Sequence, residues 1–251
     1  MVTRTSVPNR PGDVAPARLD QARLIESREI APGVRHFGFE AMGVDRLEFV
    51  PGQFTSFTEM IGGKEITRAY SLASAPSGNN RFELCLNRVE AGHLSPRLFD
   101  MQPGDRIQML QPLGMFVLRQ PPRDSILIAT GTGIAPFRSM LQAHLKTSSC
   151  AFTLLFGVRY ESHLLYRQEF EEMARVHANF RFWPTLTRPD SGWTGRRGRV
   201  QAHLTEAIGL LGDRRDVDFY LCGLKEMVDE TRVLLKSQGF DRKQIFYEKY
   251  D

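Results

Sequence analysis

The rhythm of the chain changes at Pro121-Pro122, and this change constrains the fold more than any other feature of the sequence. Before it, short alternating segments are separated by turn residues. Val34–Phe39, Gln53–Phe57, Phe82–Val89 and Arg106–Leu110 read as strands, punctuated by Pro51-Gly52, Ser77-Gly78-Asn79-Asn80 and Pro103-Gly104-Asp105. A short helix is predicted over Ser95–Phe99, with Ser95 as N-cap and Pro96 at the first helical position. After Pro121-Pro122, buried strands alternate with helices. Strands are predicted at Ser125–Ala129, Phe152–Phe156, Phe180–Thr185, Val217–Leu221 and Ile245–Tyr247, with helices at Pro136–Leu145, Leu164–Val176, Val200–Ile208 and Lys225–Gln238.

The first pattern predicts an antiparallel six-stranded β-barrel, and the second a Rossmann-like α/β domain with a parallel sheet. Expected boundaries are a loose N-terminal arm over 1–18, the barrel over 19–121 and the α/β domain over 122–251. The 251 residues suffice for two modest cores, and no apolar run is long enough to cross a membrane as a helix. Cys85, Cys150 and Cys222 are scattered, so neither a disulfide framework nor a four-thiolate cluster is expected, and no metal site. A reducing cytoplasm fits this usage best. The formal charge of +4 suits a phosphate-rich ligand or an acidic protein partner as well as nucleic acid, and does not choose among them.

Three segments carry chemistry. Arg68-Ala69-Tyr70-Ser71 offers a cation and a flat aromatic on one side of a strand and a hydroxyl on the other. A flavin needs that set: a ring for its face, a hydroxyl near N5 and a cation for its diphosphate. Gly92-His93-Leu94-Ser95 turns into a helix N-terminus, which can hold phosphate through backbone N–H groups. Thr130-Gly131-Thr132-Gly133 leaves a strand and opens a helix, as a dinucleotide-binding turn does, but Ala135-Pro136 stands where a third glycine would. Each segment alone is weak, since a strand tyrosine is ordinarily core and a Gly-x-x-Ser turn is ordinarily a cap.

Taken together, Arg68–Ser71, Gly92–Leu98, Gly131-Thr132-Gly133-Ile134-Ala135-Pro136-Phe137 and Cys222-Gly223-Leu224-Lys225 resemble the ferredoxin–NADP reductase family, in its bacterial branch. The resemblance spans most of residues 20–251. It implies that Arg68 contacts the FAD diphosphate, Tyr70 stacks on the isoalloxazine and Ser71 approaches N5. Ala69, Leu72, Ala73 and Ser74 would add contacts, Leu86, Asn87 and Arg88 would line the far side of the flavin, and Gly92, His93, Leu94 and Ser95 would bind its phosphates. Gly131, Thr132 and Gly133 would receive the nicotinamide, Thr132 nearest it and beside the flavin. Cys222 and Gly223 would lie against the reacting C4.

The sequence ends Tyr247-Glu248-Lys249-Tyr250-Asp251. By the same likeness Tyr250 covers the flavin face that nicotinamide must reach, and Glu248 joins Ser71 and Cys222 around N5. A 2′-phosphate calls for forked arginines, and Arg159, Thr187, Arg188, Arg196, Arg197 and Arg199 are candidates. Plant-type members place an adenine-stacking tyrosine near the position of Arg199, from which this chain departs.

The expected cofactors are FAD and NADP(H), with NAD(H) as the second dinucleotide. The expected activity is a ferredoxin–NADP+ reductase: hydride transfer between NADPH and FAD, then single electrons to or from ferredoxin or flavodoxin. The chain is expected to be a monomer that binds neither nucleic acid nor membrane. Two alternatives stand beside this. One is a reductase component of an oxygenase or a flavin reductase, which commonly carries a fused ferredoxin domain. The other is an FAD-binding electron-transfer subunit of a larger complex, which adds a C-terminal cysteine cluster.

Overall fold

The computed structural model describes the chain from Arg18 to Tyr250. The arm expected over 1–18 lies outside the described residues except for Arg18, where the first strand begins; Asp251 lies outside them too.

The first half forms β1 (Arg18–Ala31), β2 (Val34–Ala41), β3 (Phe54–Ile61), β4 (Lys64–Ser71), β5 (Arg81–Asn87), α1 (Leu94–Asp100) and β6 (Arg106–Leu113). Its antiparallel sheet has the order β4-β3-β6-β1-β2-β5. The sheet closes on itself where Leu72 bridges Leu84 and the Ala73 N–H donates to the Glu83 carbonyl at 2.7 Å. Closure removes the free edges, and the interior fills with rings. Phe37, Phe39, Phe57 and Phe82 are at most 1% exposed, and Phe39 meets Phe57 edge-on at 5.0 Å. The expected six-stranded barrel is therefore present.

Two details differ from expectation. Strand β1 gave no alternating signal because register shifts at Leu24/Glu26 and Glu29/Ala31 break its period of two. Helix α1 begins at Leu94 with His93 as N-cap, and Ser95 lies inside its first turn. The Ser95 hydroxyl is turned back to accept from the Val89 N–H at 3.0 Å, so it pins the preceding turn rather than capping the helix.

The second half forms β7 (Ser125–Thr130), α2 (Ala135–His144), β8 (Phe152–Val158), α3 (Arg167–Val176), β9 (Phe180–Leu186), β10 (Arg196–Arg197), α4 (Leu204–Gly209), β11 (Asp218–Leu224), α5 (Lys225–Ser237) and β12 (Ile245–Tyr250). These strands make one parallel sheet in the order β10-β9-β8-β7-β11-β12. The strand order reverses between β7 and β11, which makes the crevice at their carboxyl ends the natural ligand site of such a sheet. Helix α3 starts later than the expected Leu164, because Tyr166 is left-handed at φ 55° and breaks the helical run. Strand β12 runs three residues past the expected Tyr247, carrying Glu248 and Tyr250 into the sheet.

Arg119, in the connection, fastens the halves together. Its guanidinium donates to the buried Asp218 carboxylate at 2.7 Å and to the Lys243 carbonyl at 2.7 Å. Among the described residues, no helix is long and apolar enough to cross a membrane.

At the β7/β11 crevice two backbones nearly touch. A Cβ on Gly133 would lie 2.3 Å from the Cys222 carbonyl oxygen, and one on Gly223 would lie 2.2 Å from Thr130 Oγ1. Gly223 also has φ +140°. We expect Gly223→Ala to destabilise the protein by roughly 2–4 kcal/mol, from overpacking plus backbone strain, measured by urea unfolding.

Candidate active site

Strand β4 ends at the domain junction, and β12 brings the end of the chain to the same place. Ser71 Oγ and Tyr250 Oη lie 2.5 Å apart. Parallel pairing of β11 with β12 sets Cys222 opposite Glu248 and Leu224 opposite Tyr250. The Tyr250 hydroxyl also shares a hydrogen bond with the Cys222 thiol, and Ser71 hydrogen-bonds to Glu248. Four side chains separated by up to 179 residues thus form one polar cluster.

Burial sets the protonation of the cluster. It pushes the Glu248 carboxyl up to about 7, against the Ser71 hydrogen bond that favours the charged form. Burial also pushes the Cys222 thiol and the Tyr250 phenol well above their usual ranges, with Glu248 adding to both. Cys222 is therefore a neutral thiol near neutral pH, not a thiolate nucleophile. Glu248 is the group able to exchange a proton there.

The remaining barrel candidates divide by exposure. Arg68 and Tyr70 face the same side as Phe57 and Thr55 across the β3–β4 pair, and the Tyr70 ring lies 5.9 Å from Phe57. Arg68 donates to the Thr67 carbonyl and, among the described residues, pairs with no carboxylate. Ala69 pairs with Ser56. Leu72 and Ala73 are fully buried, and their N–H groups are already committed to the Gln53 and Glu83 carbonyls. They hold the barrel shut and have no N–H left for a ligand. Ser74 accepts from Ser139 through its carbonyl. Leu86 is core, Asn87 is exposed, and Arg88 pairs with Glu90 and Asp100. Gly92 and His93 form the turn before α1; His93 is exposed, whereas Leu94 and Ser95 are buried.

In the α/β domain, Gly131 has φ +54° and nothing within 4 Å of its Cβ position, while Gly133 is filled behind by Cys222 and Gly223. The turn is thus open on one side and sealed on the other. Thr132, partly exposed, opens into it, and Thr130 Oγ1 accepts from the Leu224 N–H at 3.1 Å. The open Gly131 face, the Arg68 guanidinium (which pairs with no carboxylate among the described residues) and the polar cluster at the junction have the chemistry that a flavin and a nicotinamide dinucleotide call for.

The arginines separate into two sets. Arg159 and Arg188 meet at the ends of β8 and β9, where the Arg188 N–H donates to the Arg159 carbonyl at 2.8 Å, and Thr187 is exposed beside them. Among the described residues Arg159 makes no ion pair. Arg196 is held by Glu206 and lies 3.7 Å over the Trp183 ring, Arg197 donates to the Trp193 carbonyl, and Arg199 pairs with Glu226 and Glu230. Sequence reasoning passed over Tyr160, an exposed ring adjoining Arg159 whose hydroxyl accepts from Arg188 at 3.5 Å. Its adjacency to Gly157-Val158-Arg159 was the available signal.

The raised Glu248 value has a stability consequence. The folded protein holds the Glu248 proton that the unfolded chain releases near 4.5, so stability falls as pH rises from about 4.5 to about 7. Glu248→Gln removes that slope. We expect the variant to be more stable than the parent above pH 7, by roughly 1 kcal/mol for a site that keeps some solvent contact, with the gap closing below about pH 5. Urea unfolding across this range checks it.

Two family models match the chain: an oxidoreductase FAD-binding domain over residues 21–118 and an oxidoreductase NAD-binding domain over residues 127–233. A ferredoxin–NADP reductase B of Sorangium cellulosum is 40% identical over 239 residues, covering 92% of this chain and 97% of that protein. The toluate 1,2-dioxygenase electron transfer component of Pseudomonas putida is 28% identical, covering 92% and 67%. Among solved structures, a ferredoxin NADP+ reductase from Neisseria gonorrhoeae with bound FAD and NADP superposes with a TM-score of 0.81 at 24% identity, over 91% of this chain and 97% of that one. An Amycolatopsis cytochrome P450 reductase superposes at 0.82 with 29% identity, over 95% and 72%. With an FAD-binding barrel, an NAD(P)-binding parallel sheet and a polar cluster where the two meet, the chain belongs to the ferredoxin–NADP reductase family of flavin-dependent oxidoreductases that act on NAD(P)H.

Proposed function

We propose that this chain is a ferredoxin–NADP+ reductase that couples NADPH to a one-electron carrier, a ferredoxin or flavodoxin. The observation that carries the reading is the convergence of Ser71, Cys222, Glu248 and Tyr250 from both domains on one cluster. FAD, when bound, supplies the chemistry that converts a hydride pair into single electrons. The protein's part is to bind, orient and manage protons. Arg68 neutralises a diphosphate, with the Gly92–His93 turn as second anchor. Tyr70 offers a ring at the barrel mouth. Thr132 and the open Gly131 turn receive the nicotinamide, while Cys222, kept neutral by burial, packs against it without competing as a nucleophile. Glu248 holds or releases a proton near neutral pH and hands it through the Ser71 hydroxyl. Tyr250, bonded to Ser71, is the side chain that must yield when nicotinamide enters.

Arg159 and Arg188 form the 2′-phosphate site, with the Tyr160 ring beside them for the adenine. Arg197 and Arg199 have competing protein partners and are secondary. The +4 charge is compatible with an acidic carrier. We place the protein in the cytoplasm as a monomer, with domain boundaries near 19–121 and 122–251.

A second reading, the reductase component of an oxygenase, is favoured by the 28% identity to the toluate dioxygenase component and 29% to the P450 reductase. Parallel reduction of the bound flavin by NADPH and NADH separates the dinucleotide assignments, and a strong NADH preference overturns ours. Arg188→Ala is expected to raise the KM for NADPH roughly 10-fold or more, the loss of about one charge-assisted phosphate contact, and to leave NADH unchanged. High salt is expected to slow ferredoxin reduction while sparing reduction of a neutral dye; equal responses would remove the acidic carrier from the proposal.

A further inference from the structure

We propose that Arg138 is a positioning residue for hydride transfer, clamping the segment that follows Ser71 onto the helix that follows the Gly131–Gly133 turn. The proposal rests on the hydride-transfer reading above and adds what sets the distance between the two reacting halves.

Arg138 is only 8% exposed. Its guanidinium donates to the Ala73 carbonyl at 2.8 Å, to Glu83 Oε2 at 2.5 Å and to Glu169 Oε2 at 2.7 Å. The Tyr166 ring lies 4.5 Å beneath it. Three elements therefore converge on one side chain: the barrel after β4, strand β5 and helix α3. Ala73 lies two residues past Ser71, and Arg138 lies one turn into α2, whose start is the Gly131–Ile134 turn. The same helix face continues the grip. Ser139 Oγ donates to the Ser74 carbonyl at 2.6 Å, and Gln142 Oε1 accepts from the Ala75 N–H at 2.9 Å. Three successive backbone units after Ser71 are thus tied to three residues of α2.

Apolar packing also joins the halves, since Ala73, Cys85 and Phe116 share a cluster with Phe137 and Met140. Apolar contact is non-directional and rewards buried area rather than a particular angle. Forked, charge-assisted hydrogen bonds are directional. A displacement of about 1 Å between reacting groups can cost on the order of 100-fold in rate. Tyr166 supports the arrangement from beneath: it keeps φ 55°, uncommon for a bulky residue, while its hydroxyl bonds His36 Nδ1 at 3.0 Å. Glu26 and Glu83 stand on the far side of that imidazole.

Arg138→Lys tests the clamp on the FAD-loaded protein, because lysine keeps the charge facing Glu83 and Glu169 but lacks the fork. The rate constant for flavin reduction at saturating NADPH is expected to fall roughly 10–100-fold, while the NADPH dissociation constant and FAD content stay within about threefold. The long-wavelength absorbance of nicotinamide stacked on flavin should fall with the rate. Hydrogen exchange at residues 72–75 and 131–137 should rise about 10-fold or more, with β8 unchanged. Parent-like exchange, or parent-like rate with faster exchange, overturns the proposal. If Arg138→Lys loses FAD, the double variant Ser139→Ala, Gln142→Ala leaves no unpaired buried charge and is expected to show the same split, with a rate roughly 3–10-fold lower; a parent-like rate there overturns it. A parent protein that neither NADPH nor NADH reduces overturns the reductase reading, and the positioning role with it.

Discussion

The Arg138 guanidinium joins the two halves of this molecule through directional, charged hydrogen bonds. It is buried at the junction and satisfied by two carboxylates and one carbonyl drawn from three elements. Breaking such a pair typically costs about 3–5 kcal/mol, because the stranded charges stay out of water. Burial pulls against its charge, but the facing Glu169 and Glu83 outweigh that and hold the guanidinium more basic than usual. Glu169 is also held by Gln142, so the network extends along α2 and into α3. Through it, a barrel and a parallel sheet that could each form a separate core share one fixed frame.

Within that frame, the floor of the site is a contact between two backbones. Strands β7 and β11 are neighbours at the point where the sheet changes direction, and both end in glycine-bearing turns. Gly133 and Gly223 let those turns close on one another, and Gly131 alone faces open space. A dinucleotide turn is usually explained by the ligand it receives. Here two of the three glycines are demanded by the protein itself, whether or not a ligand is present.

The polar cluster gains its properties from the low dielectric of the same junction. Isolated in water, Glu248 would be ionised at neutral pH and Cys222 partly so at alkaline pH. Packed beside Ser71 and Tyr250, the carboxyl titrates near 7 and the thiol stays neutral.

The sequence by itself determined the two-domain architecture, because period-two segments with Gly/Pro turns and buried runs alternating with helices are local signals. It also offered Arg68–Ser71, Gly131–Gly133 and Cys222–Gly223 as candidates, each weak alone and joined only by their shared resemblance to one family. It misjudged Ser95, whose hydroxyl turns to Val89, and it gave no sign of β1, whose bulges erase the alternation. Tertiary structure decided what depends on distant partners. Arg199 was drawn to Glu226 and Glu230 while Arg159 stayed unpaired among the described residues, a division no spacing predicts. Tyr250 met Ser71 because β12 pairs in register with β11, which brings the end of the chain to the end of β4. Nothing in the local sequence singles out Arg138 or Tyr166. Their roles arise from contacts spanning up to 130 residues, and such contacts exist only once both domains have folded against each other.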